Sequence, residues 1–229
     1  MGRDEYSTIT SHSLAQTFVE PPGKVLLLYG DKSIFPVSLT MAAHAISQGS
    51  SVAVVDGCNR FDVHLLTRFA RERQLDADAF LRRIFISRGF TCYQMEQAIV
   101  HRLPAFLNST HSRTAMIFGL LDTFYDEQAP FREVQQILTR LFEAFKQMKQ
   151  SGISLLLVSL EFNVLPKERN RLFTALKQGM DQVYKLEVNE EGRPRFLRES
   201  ALAGNTPLRE KQEVYPPSQA LIPIAREGT

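Results

Sequence analysis

The sequence predicts an α/β domain: a doubly wound, mostly parallel sheet flanked by helices, with a C-terminal β-hairpin. Three observations point there. Short and nearly continuous apolar runs, such as KVLLLY at 24–29 and ISLLLVSL at 153–160, have the pattern of strands buried on both faces. Between them lie longer segments with apolar residues three and four apart, the period of an amphipathic helix. Alternation of the two kinds favours parallel strands joined by crossover helices. Near the end, two strand-like segments, 182–188 and 193–197, flank Asn189-Glu190-Glu191-Gly192, a hairpin signal.

Taken in order, residues 1–22 are polar, end in Pro21-Pro22-Gly23, and are expected to be an arm. The core is placed at 23–198. Its first strand, 24–29, is followed by a helix over 36–48 that closes at Gly49. SVAVVD at 51–56 is the next strand, and 57–60 its exit loop. Residues 61–74 are helical, with Phe61, Leu65, Leu66, Phe69 and Ala70 on one face, and 76–83 add a turn or two before a strand at 84–87. A helix over 93–107 is expected to be interrupted or bent near Pro104. A strand at 115–121, a polar loop at 125–130 and the longest helix, 131–150, follow, then the strand at 153–160 and a helix at 167–179. From 199 to 229 periodicity is lost, which predicts a tail that is disordered or ordered by a partner.

Composition excludes several classes. A net charge of +2 over 229 residues does not by itself imply a polyanion partner. Two cysteines, Cys58 and Cys92, make neither a disulfide framework nor a metal site. No stretch reaches the roughly 18 apolar residues of a membrane span. Acidic Asp4 and Glu5 with no apolar run predict no signal peptide. The expectation is an intracellular protein, cytoplasmic and nucleoid-associated or nuclear.

The segment 24–48 has the architecture of a nucleotide-binding strand–turn–helix and lacks its chemistry. Aligned from Gly30, the pattern G-x-x-x-x-G-K-[ST] has Phe35 at the second glycine, Pro36 at the lysine and Val37 at the hydroxyl residue. Phe35 puts a ring where backbone must approach an anion. Pro36 removes an ammonium and an N–H donor, although its fixed φ suits a first helical turn. Val37 cannot ligate Mg²⁺. A second frame on Lys32-Ser33 leaves only Asp31 after Gly30, too little chain to wrap a phosphate.

Residues 75–98, LDADAFLRRIFISRGFTCYQMEQA, combine an L-D-x-D-x-x-L helix, a strand ending in R-x-F, and a Q-M pair opening the next helix. With Asp76, Asp78, Arg88, Phe90, Gln94 and Met95 in place, residues 24–188 resemble the ATPase core of the RecA/RadA recombinase superfamily, in its RadA-type branch. DGCNRF at 56–61 falls on that branch's D-x-E-N-x-F segment, and Arg132, Gln135 and Gln136 on its polar cluster after the Walker B strand. Carried over by position, the resemblance implies that the water-activating glutamate is Cys58 and the Walker B aspartate is Gly119. Asp122, three residues on, is expected to point elsewhere, and the polar sensor falls near Glu161-Phe162. With clamp, metal ligands and base all replaced, the expectation is a degenerate paralogue that is not an enzyme and takes no cofactor or metal.

What the resemblance implies is a non-catalytic RecA-fold subunit that binds protein partners, other RecA-fold subunits of a hetero-oligomer, and weakly single- or double-stranded DNA in recombinational repair. A structural subunit of a RecA-fold ring outside repair, as in Elongator, and a divergent ATPase stand as alternatives. The family's helix–hairpin–helix module does not fit into 1–22. Leu172-Phe173-Thr174-Ala175 mimics part of an F-x-x-A filament element but sits in an expected helix, with Phe173 as core. Lys167, Arg169, Arg171 and Lys177 occupy the place of a DNA-binding loop and are candidate phosphate contacts, or simply the polar face of a helix. The other DNA-facing loop, 125–130, bears Asp126 and Glu127. His64, Arg68 and Arg71 share a helix face that is either solvated or contacts an anion. Cys58 reads as a small loop cysteine more readily than as a nucleophile. Phe35 either fills the vacated pocket, which a fold without its ligand requires, or anchors a partner beside Ile34, Pro36 and Val37. In the tail, 214–224 (VYPPSQALIPI) offers Tyr215, Leu221 and Ile222 as partner contacts.

Overall fold

The computed structural model describes residues 7–9, 11–126, 128–161, 164, 167–188 and 194–199. Its strands form one eight-stranded sheet among these residues. In chain order the elements are β1 (Ser7–Ile9), α1 (Ser11–Val19), β2 (Val25–Gly30), α2 (Ile34–Ser47), β3 (Val52–Asp56), α3 (Val63–Glu72), α4 (Ala77–Leu81) and β4 (Ile84–Arg88). Then come α5 (Cys92–Glu96), a π-helical turn (Gln97–Arg102), α6 (Leu103–Thr110), β5 (Thr114–Phe118) and α7 (Phe131–Gln150). The chain continues through β6 (Ser154–Leu160), α8 (Asn170–Gln178), β7 (Gln182–Val188) and β8 (Pro194–Glu199).

The strand order is β1-β8-β7-β2-β6-β5-β3-β4, with β7, β2, β6, β5, β3 and β4 mutually parallel and β8 antiparallel to both β7 and β1. Chain connections from β2 and β3 cross the sheet one way, and those from β4, β5 and β6 cross back. Crossovers of one hand therefore place the two sets of helices on opposite faces. The architecture is the doubly wound α/β sheet with a C-terminal hairpin that the sequence predicts, and it is consistent with a RecA-like fold.

The period-two alternation of a strand divides the core. In β2, Leu26 and Leu28 join the core under α1 to α4, while Val25, Leu27 and Tyr29 join the one under α5 to α8. Val54 and Val55, Met116 and Ile117, and Leu156 and Leu157 split the same way. A one-residue slip of the Leu27↔Leu157 register would exchange the two faces, so burial on both sides pins it.

Two expectations need correction, those for residues 11–19 and for the strand at 115–121. Residues 11–19 are a helix, not part of an arm, and Leu14 and Phe18 are fully buried with α2 residues such as Leu39. As expected, the helix over 92–110 is interrupted near Pro104, by the π-helical turn just before it, where the i→i+4 ladder is broken. The strand at 115–121 ends at Phe118, because Gly119 turns the chain with φ +60°. The hairpin turn 189–192, Glu127, Phe162 and the tail residues Tyr215, Leu221 and Ile222 lie outside the described residues. Among the described residues no helix is long and apolar enough to cross a membrane.

Phe18→Ala should cost about 3–5 kcal/mol, the range for truncating a core aromatic. Urea unfolding reads this; an unchanged midpoint would return residues 11–19 to the status of an arm.

Candidate functional site

In doubly wound sheets, ligands enter the crevice at the carboxyl ends of the strands, where neighbouring connections leave for opposite faces. Two such places adjoin here, between β2 and β6 and between β3 and β5. The residues the sequence singles out for nucleotide chemistry gather there.

Between β2 and α2 only three residues turn the chain. Gly30 is a glycine because a Cβ would meet Leu186 Cβ and the Leu186 carbonyl at 3.0 Å, so its smallness serves the approach of β7. Asp31 Oδ1 accepts from the Ser33 N–H at 2.8 Å and from the Ser33 hydroxyl. The Asp31 carbonyl accepts from Ile34 N at 3.1 Å. The loop is bonded to itself, and the Ser33 hydroxyl of the second reading frame is spent on Asp31. Phe35 follows in the first turn of α2, 3% exposed, its ring 5.7 Å from that of Phe118. The ring points inward, so its assignment as an exposed partner contact is withdrawn: it fills core volume between α2 and the sheet. Pro36 is exposed and Val37 half-buried against the same core.

At the end of β3, Asp56 is 1% exposed and shapes the exit loop. Its carboxylate accepts from the backbone N–H groups of Cys58 (3.1 Å), Arg60 (3.2 Å) and Phe61 (3.0 Å). The Cys58 thiol lies 3.6 Å from the same carboxylate. Burial pushes that thiol's pKa up, and the charges of Asp122 and Asp56 push it further, against Arg60. A thiol held protonated is a poor nucleophile, and Cys58 acts as packing.

Gly119 and Cys58 stand too close together for either to be larger. A Cβ built on Gly119 would fall 2.3 Å from Cys58 Cβ and 2.6 Å from its sulfur. No side chain fits, a Walker aspartate included, while the loop keeps this course. The following turn brings Asp122 back, with its N–H on the Gly119 carbonyl at 3.2 Å and Oδ2 3.0 Å from that vacant Cβ position. The expectation that Asp122 points elsewhere is therefore overturned. Its Oδ2 is buried and accepts no hydrogen bond from a described residue. Burial raises its pKa to about 6, with Asp56 adding to the shift and Arg60 and its own backbone N–H opposing it.

Alongside, on the α2 and α3 side, lies a shallow cleft of about 480 Å³, bounded by Lys32, Phe35 and Pro36 on one loop and Arg60, Phe61 and His64 on the other. Arg60 lies 6.0 Å from the Phe35 ring centroid.

The four basic residues assigned to DNA separate into two kinds. Arg169 is 4% exposed and donates to the carbonyls of Phe124 (2.5 Å) and Ala129 (2.7 Å). It is a clamp on the loop that follows β5, not a phosphate contact. Lys177 is turned inward too, donating to the Tyr29 hydroxyl at 2.8 Å and to Glu199 at 2.9 and 3.1 Å. Glu199, expected to begin the tail, is the last residue of β8 and also receives the Tyr29 hydroxyl. Lys167 and Arg171 remain exposed. His64, Arg68 and Arg71 are exposed on α3, with Arg68 3.8 Å from Glu72. Glu161 is exposed and pairs with Lys185 at 3.3 Å. Phe173 is half-buried on α8, edge-on to Tyr29 at 5.2 Å, as a core-side residue.

Sequence reasoning missed the return of Asp122 and the burial of Arg169. The G-x-x-D spacing of Gly119 and Asp122, one tight turn apart, was the available signal for the first; none existed for the second. No protein-family model matches the chain, and no curated protein matches it.

Two substitutions test the geometry. Phe35→Ala should lower folding stability by about 3–5 kcal/mol; stability within experimental error of the parent would mean the ring is not core. For Asp122, a folded value above the ordinary 3.8 means that the fold favours the protonated acid. Its contribution is complete below about pH 4 and is lost as pH rises through about 6. Asp122→Asn should therefore exceed the parent in urea resistance above pH 6, by up to about 2–3 kcal/mol, and converge on it near pH 4. A pH-independent difference would refute the buried-acid assignment.

Proposed function

We propose that this chain is a non-catalytic RecA-fold subunit, a recombinase paralogue whose nucleotide loop has become core and which works by binding other proteins in recombinational repair. The observation that carries this reading is the burial of Phe35 where a phosphate loop would leave room for its ligand. Around it, Pro36 offers no N–H, Ser33 is bonded to Asp31, and Gly119 faces Cys58 with no space for a metal-binding carboxylate. Phosphoryl transfer rests on positioning and charge stabilisation by such groups, and here they are replaced together.

Support for a partner comes from the far edge of the sheet. Among the described residues β4 has a neighbour on one side only, and Ile86, Phe90 and Tyr93 are 45%, 68% and 43% exposed on it and just after it. Exposed apolar side chains clustered on an unpaired strand are the usual marks of a protein interface. A second RecA-fold subunit, pairing edge to edge, is the partner this reading names. Direct DNA binding has thinner support, since Lys167 and Arg171 are the exposed pair left from the four assigned.

Calorimetric titration with Mg-ATP should give no saturable heat. A micromolar dissociation constant, or ATP turnover abolished by Lys32→Ala, would replace this reading with the divergent ATPase.

A further inference from the structure

We infer that the cleft between the 31–36 turn and the 59–64 loop is a receptor for an acidic side chain of a partner protein, with Arg60 and Lys32 as its charged contacts. The inference rests on the reading of the chain as a bound subunit and specifies what one contact of that partner is made of.

Of the two acidic residues on these loops, Asp31 accepts from Ser33 and is not part of the cleft wall, while Asp62 does line the cleft, its carboxylate turned to the N–H groups of His64 (2.8 Å) and Leu65 (3.3 Å) as the cap of α3. Lys32 and Arg60 both line the cleft, and their side chains form no hydrogen bond or ion pair with a described residue. The amino-terminal end of α2, a helix of 14 residues, also reaches the cleft and adds its partial positive charge to theirs, while that of α3 is taken by Asp62. His64 supplies a third basic group at the rim.

The apolar half of the wall decides the ligand's class. A polyphosphate needs converging N–H donors, and here the turn is bonded internally and Pro36 has none. Single-stranded nucleic acid needs a ring to stack on; Phe35 is buried and Phe61 is half-buried, its backbone held by Asp56. A small anion alone would leave exposed Pro36 and the 42%-exposed Val63 uncovered. A carboxylate on a protein segment meets both demands: a guanidinium takes it in a bidentate pair, and flanking apolar residues cover Pro36 and Val63.

The probe is a fluorescein-labelled peptide with two glutamates flanked by leucines, and a control with glutamines in their place, followed by fluorescence anisotropy with the full chain. The acidic peptide should bind saturably and more weakly as salt rises, and the glutamine control about tenfold less tightly. Lys32→Ala and Arg60→Ala should each weaken binding several-fold, the double variant by about tenfold or more, and Arg60→Lys should recover part of the loss. Urea midpoints of the variants verify folding, and Lys32, fully on the surface, keeps the test open if Arg60→Ala unfolds. Equal binding of both peptides, or indifference to Lys32→Ala, overturns the receptor while leaving the subunit reading intact. Displacement of the peptide by oligo(dT) assigns the cleft to nucleic acid and likewise overturns it. Displacement by Mg-ATP overturns the receptor and the subunit reading together.

Discussion

The ring of Phe35 lies against Phe118, and the carboxyl end of the sheet is arranged around the volume it takes. A doubly wound sheet opens a crevice at this end whether or not a ligand fills it, and interiors at native density do not tolerate an unfilled space. Here the first turn of the helix supplies the filling from its own sequence. Once the ring is inside, Pro36 can follow without loss, since the first turn of a helix leaves its N–H unpaired in any case. The short self-bonded turn at 31–33 then has no reason to be longer. Gly119 and Cys58 complete the same economy of space on the next strand pair, each small because the other is close.

Electrostatics at this end follows from the same crowding. Asp56 is buried but saturated by backbone donors, so its charge has become part of the loop's structure. Asp122 is buried with its own backbone N–H as a donor but with Oδ2 unpaired among the described residues, which is why its acid form is favoured while Arg60 only partly offsets the penalty. Two carboxylates a few residues from equivalent strand ends thus have opposite standing, one fixed by hydrogen bonds and the other poorly solvated. Arg60 lines the open cleft, and its charge also acts on this buried acid.

Much of the fold was legible in the sequence, because strands buried on both faces leave near-continuous apolar runs and crossover helices leave a clear period. The helix at 11–19 was not. Its buried positions, Leu14, Ala15 and Phe18, are too few to set a period among Ser11, His12, Ser13, Gln16 and Thr17. At the site, what Pro36, Val37, Cys58 and Gly119 cannot do could be read from residue identity, since each excludes a role in phosphate or metal binding outright. The direction of a charged side chain could not. Arg169 and Lys177 look like a basic face by spacing, yet one grips two carbonyls and the other a tyrosine and a glutamate. Asp122 was hidden for a different reason: its return depends on a positive φ at Gly119, a backbone property that no hydrophobic pattern records.

The joint of Tyr29, Lys177 and Glu199 fastens the end of the hairpin to the middle of the sheet. Glu199 ends β8, two strands away from β2, yet its carboxylate is fastened to a hydroxyl on β2 and an ammonium on α8. A hairpin held by its backbone ladder alone can be peeled away one bond at a time from its free end. With Glu199 anchored in this way, and β8 paired with β1 as well as β7, the last residue of the hairpin is tied to the middle of the sheet and not to its neighbouring strands alone.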